Sequence, residues 1–164
     1  MLFPFFQWME NLAVYGASPY IGPIVNLVHL LSMVTFVGGL LVVDLRLLGV
    51  GLKHQPLSVV ARDAWPWIIG GFIGILITGM PQLAERATDQ YANSVFWMKM
   101  WVLGFGLVFW ATIWRKTAKA DEPRGVMPKV LALVSIGIWV FVATSARMIM
   151  LLPADFFFDV GLYK

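Results

Sequence analysis

Cysteine is absent from this chain of 164 residues, and charged residues make up only 13% of it. The absence of cysteine excludes disulfides, thiolate metal sites and cysteine nucleophiles. Charged residues make up about a quarter of a soluble domain, so their scarcity, together with 60% hydrophobic residues, indicates a membrane protein. The net charge of +3 does not indicate nucleic-acid binding, because the basic residues cluster beside the ends of apolar runs.

Four long apolar runs account for most of the sequence, at about residues 23–47, 65–83, 95–114 and 128–152. Each contains roughly the twenty apolar residues that are needed to cross about 30 Å of hydrocarbon. The sequence therefore predicts an all-α fold, an integral membrane four-helix bundle, with a single transmembrane domain over residues 1–164.

A shorter apolar segment precedes the first run. Residues 2–15 are interrupted by Pro4 and Glu10, and they lack the cationic start of a secretory signal. We expect them to form a short N-terminal interfacial helix, with Trp8 and Tyr15 at the level of the lipid headgroups.

Small residues at helical spacing predict close packing between the spans. The second run carries Gly70, Gly74 and Thr78, and the first run carries Ser32, Thr35 and Gly39. Such residues let helix backbones approach closely in a membrane. The pattern predicts a compact bundle and does not by itself establish a dimer.

The positions of lysine and arginine predict the orientation of the chain. The segments that follow the first and third runs are rich in basic residues, namely Lys53, Arg62, Arg115, Lys116, Lys119, Arg124 and Lys129. Outside the spans, the opposite side carries only Arg86 and Lys164. Because cytoplasmic loops carry an excess of basic residues, we expect a multi-pass protein of the bacterial inner membrane with both termini in the periplasm.

Three of the runs contain one ionisable residue each near the predicted periplasmic face, namely His29, Lys99 and Arg147. At 1.5 Å per residue, His29 lies roughly 9 Å inside the end of its span, and the two cations lie at a similar depth. Ionisable side chains are costly in hydrocarbon and usually face a protein interior or a cavity. We therefore expect the three to converge on one site, with Asn26 and Met33 on the same helix face as His29.

Structural roles are open for these residues as well. Lys99 and Arg147 lie near enough to the surface for their charged ends to reach the headgroups, and His29 could simply hydrogen-bond a neighbouring helix. No acidic residue lies at this depth, so the cations require backbone carbonyls, lipid phosphates or an anionic ligand as partners. At the other end of the first span, we expect Asp44 and Arg46 to form a local or interhelical ion pair.

The residue types at the predicted site are compatible with three kinds of ligand. Haem b would use His29 as an axial ligand, a methionine or nothing as the second ligand, and Lys99 with Arg147 for the propionates. A quinone would hydrogen-bond to His29 and to a cation. Copper would use His29 as its metal ligand together with thioethers, which suit Cu(I), although the methionines lack a repeated Met-x-x-Met pattern. Hydrolytic catalysis has little support, because no carboxylate lies near His29 and no nucleophile is evident.

Motifs in all four spans resemble one family of membrane proteins. They are PIVNLVHLLSMVTFVGGLLVVDLRLLG in the first span, PW…GGF…ITG in the second, FWMKM in the third and an arginine late in the fourth. The chain resembles uncharacterised bacterial four-helix inner-membrane proteins over nearly its whole length. These are distantly similar to the copper-resistance D membrane domain and to the membrane protoporphyrinogen oxidase family.

The resemblance implies a haem or a metal role, and it places His29, Lys99 and Arg147 at the polar positions of the family. One departure concerns Trp114, because relatives often carry a histidine near the inner end of the third span. If that histidine is a ligand, its loss weighs against bis-histidine ligation of a haem.

These features lead us to expect a haem- or redox-associated protein of the lipid bilayer, which passes electrons between a quinone and a periplasmic redox partner. The alternatives are copper binding or transport, and a non-catalytic accessory subunit of a membrane complex. The sequence leaves open whether the protein forms a homo- or hetero-oligomer.

Overall fold

The computed structural model describes residues 3–11, 20–119 and 125–158. Within these ranges all regular structure is helical, as the sequence predicts. The elements are α1 (Phe3–Asn11), α2 (Ile21–Leu48), α3 (Leu57–Glu85), α4 (Ala87–Tyr91), α5 (Ser94–Phe109), a π-helical segment (Trp110–Trp114), α6 (Arg115–Ala118) and α7 (Met127–Leu151). Four helices are long and apolar enough to cross a membrane, and these are α2, α3, the continuous helix Ser94–Ala118, and α7.

The helices are longer than the apolar runs that predict them. α3 begins at Leu57, well before the predicted start of its span at residue 65, because Leu57, Val60 and Ala64 continue one buried helical face into the polar region. Pro66 therefore lies inside the helix and not in its first turn. Hydropathy marks the part of a helix that lies in hydrocarbon, and the hydrogen-bonded helix extends past it.

Helix α2 packs along the length of α3, and α7 packs against both α2 and α5. The contact between α2 and α3 depends on glycine. A Cβ atom on Gly71 would lie 2.6 Å from the backbone nitrogen of Phe36, and one on Gly74 would collide with Ser32. Gly70 has open space around it, so the predicted small-residue stripe is wrong at that position, and Gly71 takes its place.

The centre of the bundle is aromatic. The Phe36 ring lies 4.7 Å from the Trp139 ring in an edge-on arrangement, and 6.1 Å from the Trp110 ring. Trp110 in turn stacks on Trp65 at 5.6 Å. These rings join α2, α3, the π segment and α7 in one layer, and such pairs add about 0.5–1.5 kcal/mol each beyond the area they bury.

One end of the bundle, which we call the α1 end, is closed by the short helices. α1 packs through Phe6 and Met9 against α4 and the start of α5. The opposite face of α1 carries Trp8, which is 57% exposed. The location of α1 at a membrane surface stays a prediction. Tyr15 lies outside the described residues.

Hydrogen bonds hold the α1 end together. The carboxylate of Glu10 accepts hydrogen bonds from the hydroxyl and from the backbone amide of Thr88, the latter at 3.0 Å. Donation by the Thr88 hydroxyl, and then by its amide, holds the pKa of Glu10 below its ordinary value. The backbone amide of Ser94 donates to the carbonyl of Ala154 at 2.7 Å, which ties the end of α7 to the start of α5.

The opposite end of the bundle carries the loop after α2 and the start of α7, and we call it the basic end. Its described basic residues are Arg46, Lys53, Arg62, Arg115, Lys116, Lys119 and Lys129. Because the spans alternate in direction, His29, Lys99 and Arg147 all lie in the half near the α1 end. Asp44 and Trp114 lie in the half near the basic end.

Candidate functional site

His29 is held by a side-chain hydrogen bond to the neighbouring span. Its Nδ1 lies 2.8 Å from the hydroxyl of Thr78 on α3. The same hydroxyl donates its hydrogen to the carbonyl of Gly74 at 2.6 Å. Because a hydroxyl has one hydrogen to donate, Thr78 accepts from His29, and Nδ1 of the imidazole carries a hydrogen. In the neutral form of the ring, the lone pair of Nε2 is then free to accept a hydrogen bond or to bind a metal.

The approach of α2 to α3 makes this hydrogen bond possible. Thr78 is buried and follows Gly71 and Gly74 on the face of α3 that contacts α2. Gly79 adds room beside the ring, since a Cβ there would lie 3.4 Å from Cε1 of His29. The His29 ring is half-buried and orientated by its contact with α3.

Lys99 belongs to the same site. It lies on α5, it is half-buried, and its charge acts on His29. The site thus combines side chains from three helices, with His29 on α2, Thr78 on α3 and Lys99 on α5. The lone pair of a neutral imidazole can bind a metal or accept a hydrogen bond from a donor. The ammonium group of Lys99 can donate to an acceptor atom of the same ligand.

The other predicted site residues surround this centre less closely. Met33 is half-buried one turn from His29 on α2, whereas Asn26 is exposed. Arg147 lies on α7 in the same half of the bundle, and its side chain is exposed. The structure places Lys99 within range of an electrostatic interaction with His29, without a hydrogen bond between them. Among the described residues it records no interaction between Arg147 and either of them.

Two further features limit the chemistry of the site. The described residues contain no group of three or more His, Cys, Asp or Glu side chains that could hold a metal ion, so a metal at His29 would depend on other ligands. A groove of about 430 Å³ opens between α2 and α3, but it lies towards the basic end, between Val34, Gln55 and Trp67. The groove does not include His29.

Asp44 has a different partner from the one that the sequence predicts. Its carboxylate accepts a hydrogen bond from Nε1 of Trp114 at 2.7 Å, while Nε of Arg46 donates to the carbonyl of Gln55 at 2.8 Å. The predicted Asp44–Arg46 ion pair is therefore wrong. Residues two apart on a helix point in different directions, so Asp44 faces the core and Arg46 faces the loop.

Sequence reasoning missed two hydrogen-bond partners. Thr78 is predicted only as a small packing residue, although its depth in the second span matches the depth of His29 in the first. Trp114 is predicted only as a replacement for a histidine. The available signal was depth, because Asp44 and Trp114 both lie near the inner ends of their spans.

These features define a multi-pass α-helical membrane protein with a polar site between its spans. The chain belongs to the family of unknown function DUF6644, which matches residues 5–152. No curated protein and no solved structure is significantly similar to the chain. The family match does not test the similarity to the copper-resistance D domain or to the protoporphyrinogen oxidases, which stays a prediction.

Proposed function

We propose that this chain is a redox-associated membrane protein in which Nε2 of His29 is the atom that meets the ligand, and that haem b is the ligand. The observation that supports the proposal is the hydrogen bond from His29 to Thr78. Histidines that ligate metals commonly donate their other ring nitrogen to an oxygen atom, which fixes the tautomer and the ring orientation. His29 has this arrangement.

The residues fit one side of a haem site. His29 would supply an imidazole nitrogen to the haem, and Lys99 would pair with a propionate, with Arg147 available at the same end of the bundle. Met33 lies one turn from His29 on the same helix, and the described residues offer no second ligand from another span. The proposal is therefore a haem with one protein ligand, and such a group would supply one-electron transfer.

The position of the site in the membrane decides its partners. The basic end carries most of the described lysines and arginines, so we place it in the cytoplasm. We therefore propose an inner-membrane protein with both termini in the periplasm and with the His29 site in the outer leaflet. A quinone in the bilayer and a periplasmic redox partner are then the two groups within reach.

Copper is the second candidate ligand, and one observation favours it. His29 and Met33 lie one turn apart on α2, and an imidazole with a thioether suits Cu(I). The distant similarity to the copper-resistance D domain and to the haem-associated protoporphyrinogen oxidases is consistent with either ligand. The remaining alternative is an accessory subunit in which His29, Thr78 and Lys99 only join the helices.

The experiment is the visible spectrum of the full chain, purified without added cofactor, together with metal analysis. We expect a Soret band that is lost in His29→Ala and retained in His54→Ala, since His54 is exposed in the loop after α2. Thr78→Val removes the acceptor for Nδ1 and should lower haem affinity about 10–100-fold, which would appear as a weaker Soret band. Thr78→Ser keeps the acceptor and should retain the haem.

Other results would assign the site differently. Stoichiometric copper without a Soret band, lost in His29→Ala, would replace haem with copper. Neither ligand, together with a fixed partner that co-purifies with the chain, would identify an accessory subunit and overturn the redox proposal.

A further inference from the structure

A second polar site lies in the half of the bundle near the basic end, and His29 takes no part in it. We propose that Asp44, Trp114 and Ser135 form a proton-binding site within the membrane, in which the Asp44 carboxyl binds and releases the proton. This inference is independent of the ligand at His29.

The three residues come from three different spans and are buried together. Asp44 on α2 and Trp114 at the end of the π segment are each 1% exposed, and Ser135 on α7 is 0% exposed. Nε1 of Trp114 donates to the carboxylate at 2.7 Å. Ser135 lies close enough to interact with the carboxyl, but its Oγ forms no hydrogen bond of normal geometry. Ionisable groups inside a membrane are costly and are usually functional.

No described cation neutralises Asp44. The described charged side chains at this end are Arg46, Arg62, Asp63, Arg115 and four exposed lysines, namely Lys53, Lys116, Lys119 and Lys129. Arg46 bonds to a loop carbonyl, Arg62 pairs with Asp63, and Arg115 lies over the ring of Trp65 at 4.7 Å. The interactions that act on the Asp44 carboxyl come from burial, Trp114 and Ser135. A buried carboxylate that has no fixed cation beside it requires a mobile cation to neutralise its charge.

Unpaired donors indicate which mobile cation it is. Nε1 of Trp110, Nε1 of Trp139 and Oγ of Ser135 are buried, and each lacks a hydrogen-bond partner among the described residues. Trp110 and Trp139 lie one turn from Trp114 and Ser135 respectively, towards the middle of the bundle. An indole N–H can only donate, so it repels a metal cation and favours an acceptor such as water. Buried water commonly satisfies polar groups of this kind.

The site can accommodate Asp44 in both protonation states. The N–H of Trp114 and the O–H of Ser135 can hydrogen-bond the ionised form, while the surrounding apolar side chains tolerate the neutral form. A water that accepts a hydrogen bond from an indole would be held beside the carboxylate. A proton that reaches this water from a further water, as hydronium, would pass to Asp44 and leave neutral water behind, and release would run in reverse. Trp114 is the last residue of the π segment, and π-helical turns are frequent at functional sites.

The test is infrared difference spectroscopy of the purified full chain after a step in pH. On acidification we expect a new carboxylic C=O band and a matching loss of carboxylate absorption. Both changes should be absent in Asp44→Asn and retained in Asp63→Asn, which removes an exposed carboxylate at the same end. Trp114→Phe should retain the C=O band and shift it to higher frequency, because one hydrogen bond to the carboxyl is lost.

Three outcomes would overturn the proposal. The first is a pH-difference spectrum that Asp44→Asn does not change. The second is loss of the C=O band when sodium is added at constant pH, which would identify a sodium site. The third is an unshifted carboxylic C=O band in Trp114→Phe, and this outcome decides the test if Asp44→Asn does not fold. None of these measurements depends on haem or copper.

Discussion

Replacement of Gly71 by alanine should separate α2 from α3 and destabilise the protein. The new Cβ would lie 2.6 Å from the backbone nitrogen of Phe36, about 0.8 Å short of ordinary contact, which begins at 3.4 Å. The obstructing atoms belong to the backbone and cannot rotate away. Overpacking costs about 1–3 kcal/mol, and the helix propensity of alanine offsets about 0.5–1 kcal/mol of it. We expect a net loss of up to about 2.5 kcal/mol, and of about 1 kcal/mol at the midpoints of these ranges.

The same displacement should reach the His29 site. Moving the helices apart by about 0.8 Å would lengthen the 2.8 Å hydrogen bond between His29 and Thr78 beyond the usual limit of about 3.2 Å. Gly71→Ala should therefore lower ligand occupancy at His29 as well as stability. An effect on both properties would show that glycine spacing positions the site.

The measurement is unfolding in mixed micelles by titration with a denaturing detergent, followed by circular dichroism. Gly70→Ala is the matched control, because Gly70 has no atom within 4 Å of an added Cβ, and it should be neutral or slightly stabilising. Equal losses in the two variants, or a greater loss in Gly70→Ala, would refute the packing of α2 on α3 described above.

Three further predictions concern the ends of the bundle. The contribution of Glu10 to folding stability should be fully present above pH 4.5 and lost as the pH falls through the lowered pKa of Glu10 in the folded protein. At low pH the amide of Thr88 should exchange hydrogen several-fold faster. Glu10→Gln should weaken this dependence of the exchange rate on pH. Asn93→Ala removes the side chain that accepts from the amide at the start of α5, so unfolding should cost about 1 kcal/mol less, whereas Asn93→Asp should retain most of the stability. Trp114→Phe leaves the Asp44 carboxyl without its donor, which should cost about 1–3 kcal/mol in the same titration; no loss would show that the hydrogen bond is not made.

The sequence predicts the spans well and their rotations poorly. The cost of polar backbone in hydrocarbon forces long apolar runs to be helical, so all four spans could be located. The faces could not be assigned in the same way, because lipid and protein core are both apolar. The prediction of Gly70 in place of Gly71 is an error of this kind, because a shift of one residue rotates the predicted contact face by about 100° around the helix.

Partners across helices were harder still to predict. His29 and Lys99 could be grouped by depth alone, because few ionisable residues lie in that half of the bundle. The pairings of His29 with Thr78 and of Asp44 with Trp114 depend on how neighbouring helices are rotated, which no single segment encodes. The rule that residues two apart diverge on a helix would have excluded the Asp44–Arg46 pair.

The π segment has a consequence for changes in chain length. Deleting one residue from a regular spanning helix rotates the rest of that helix by about 100° around its axis. Side chains that are now buried would then face lipid. A π turn holds one residue more than an α turn, so Trp110–Trp114 contains a surplus position. Deletion of one residue there would convert the π turn into a regular α turn. The helical turns on either side would then keep their present contacts.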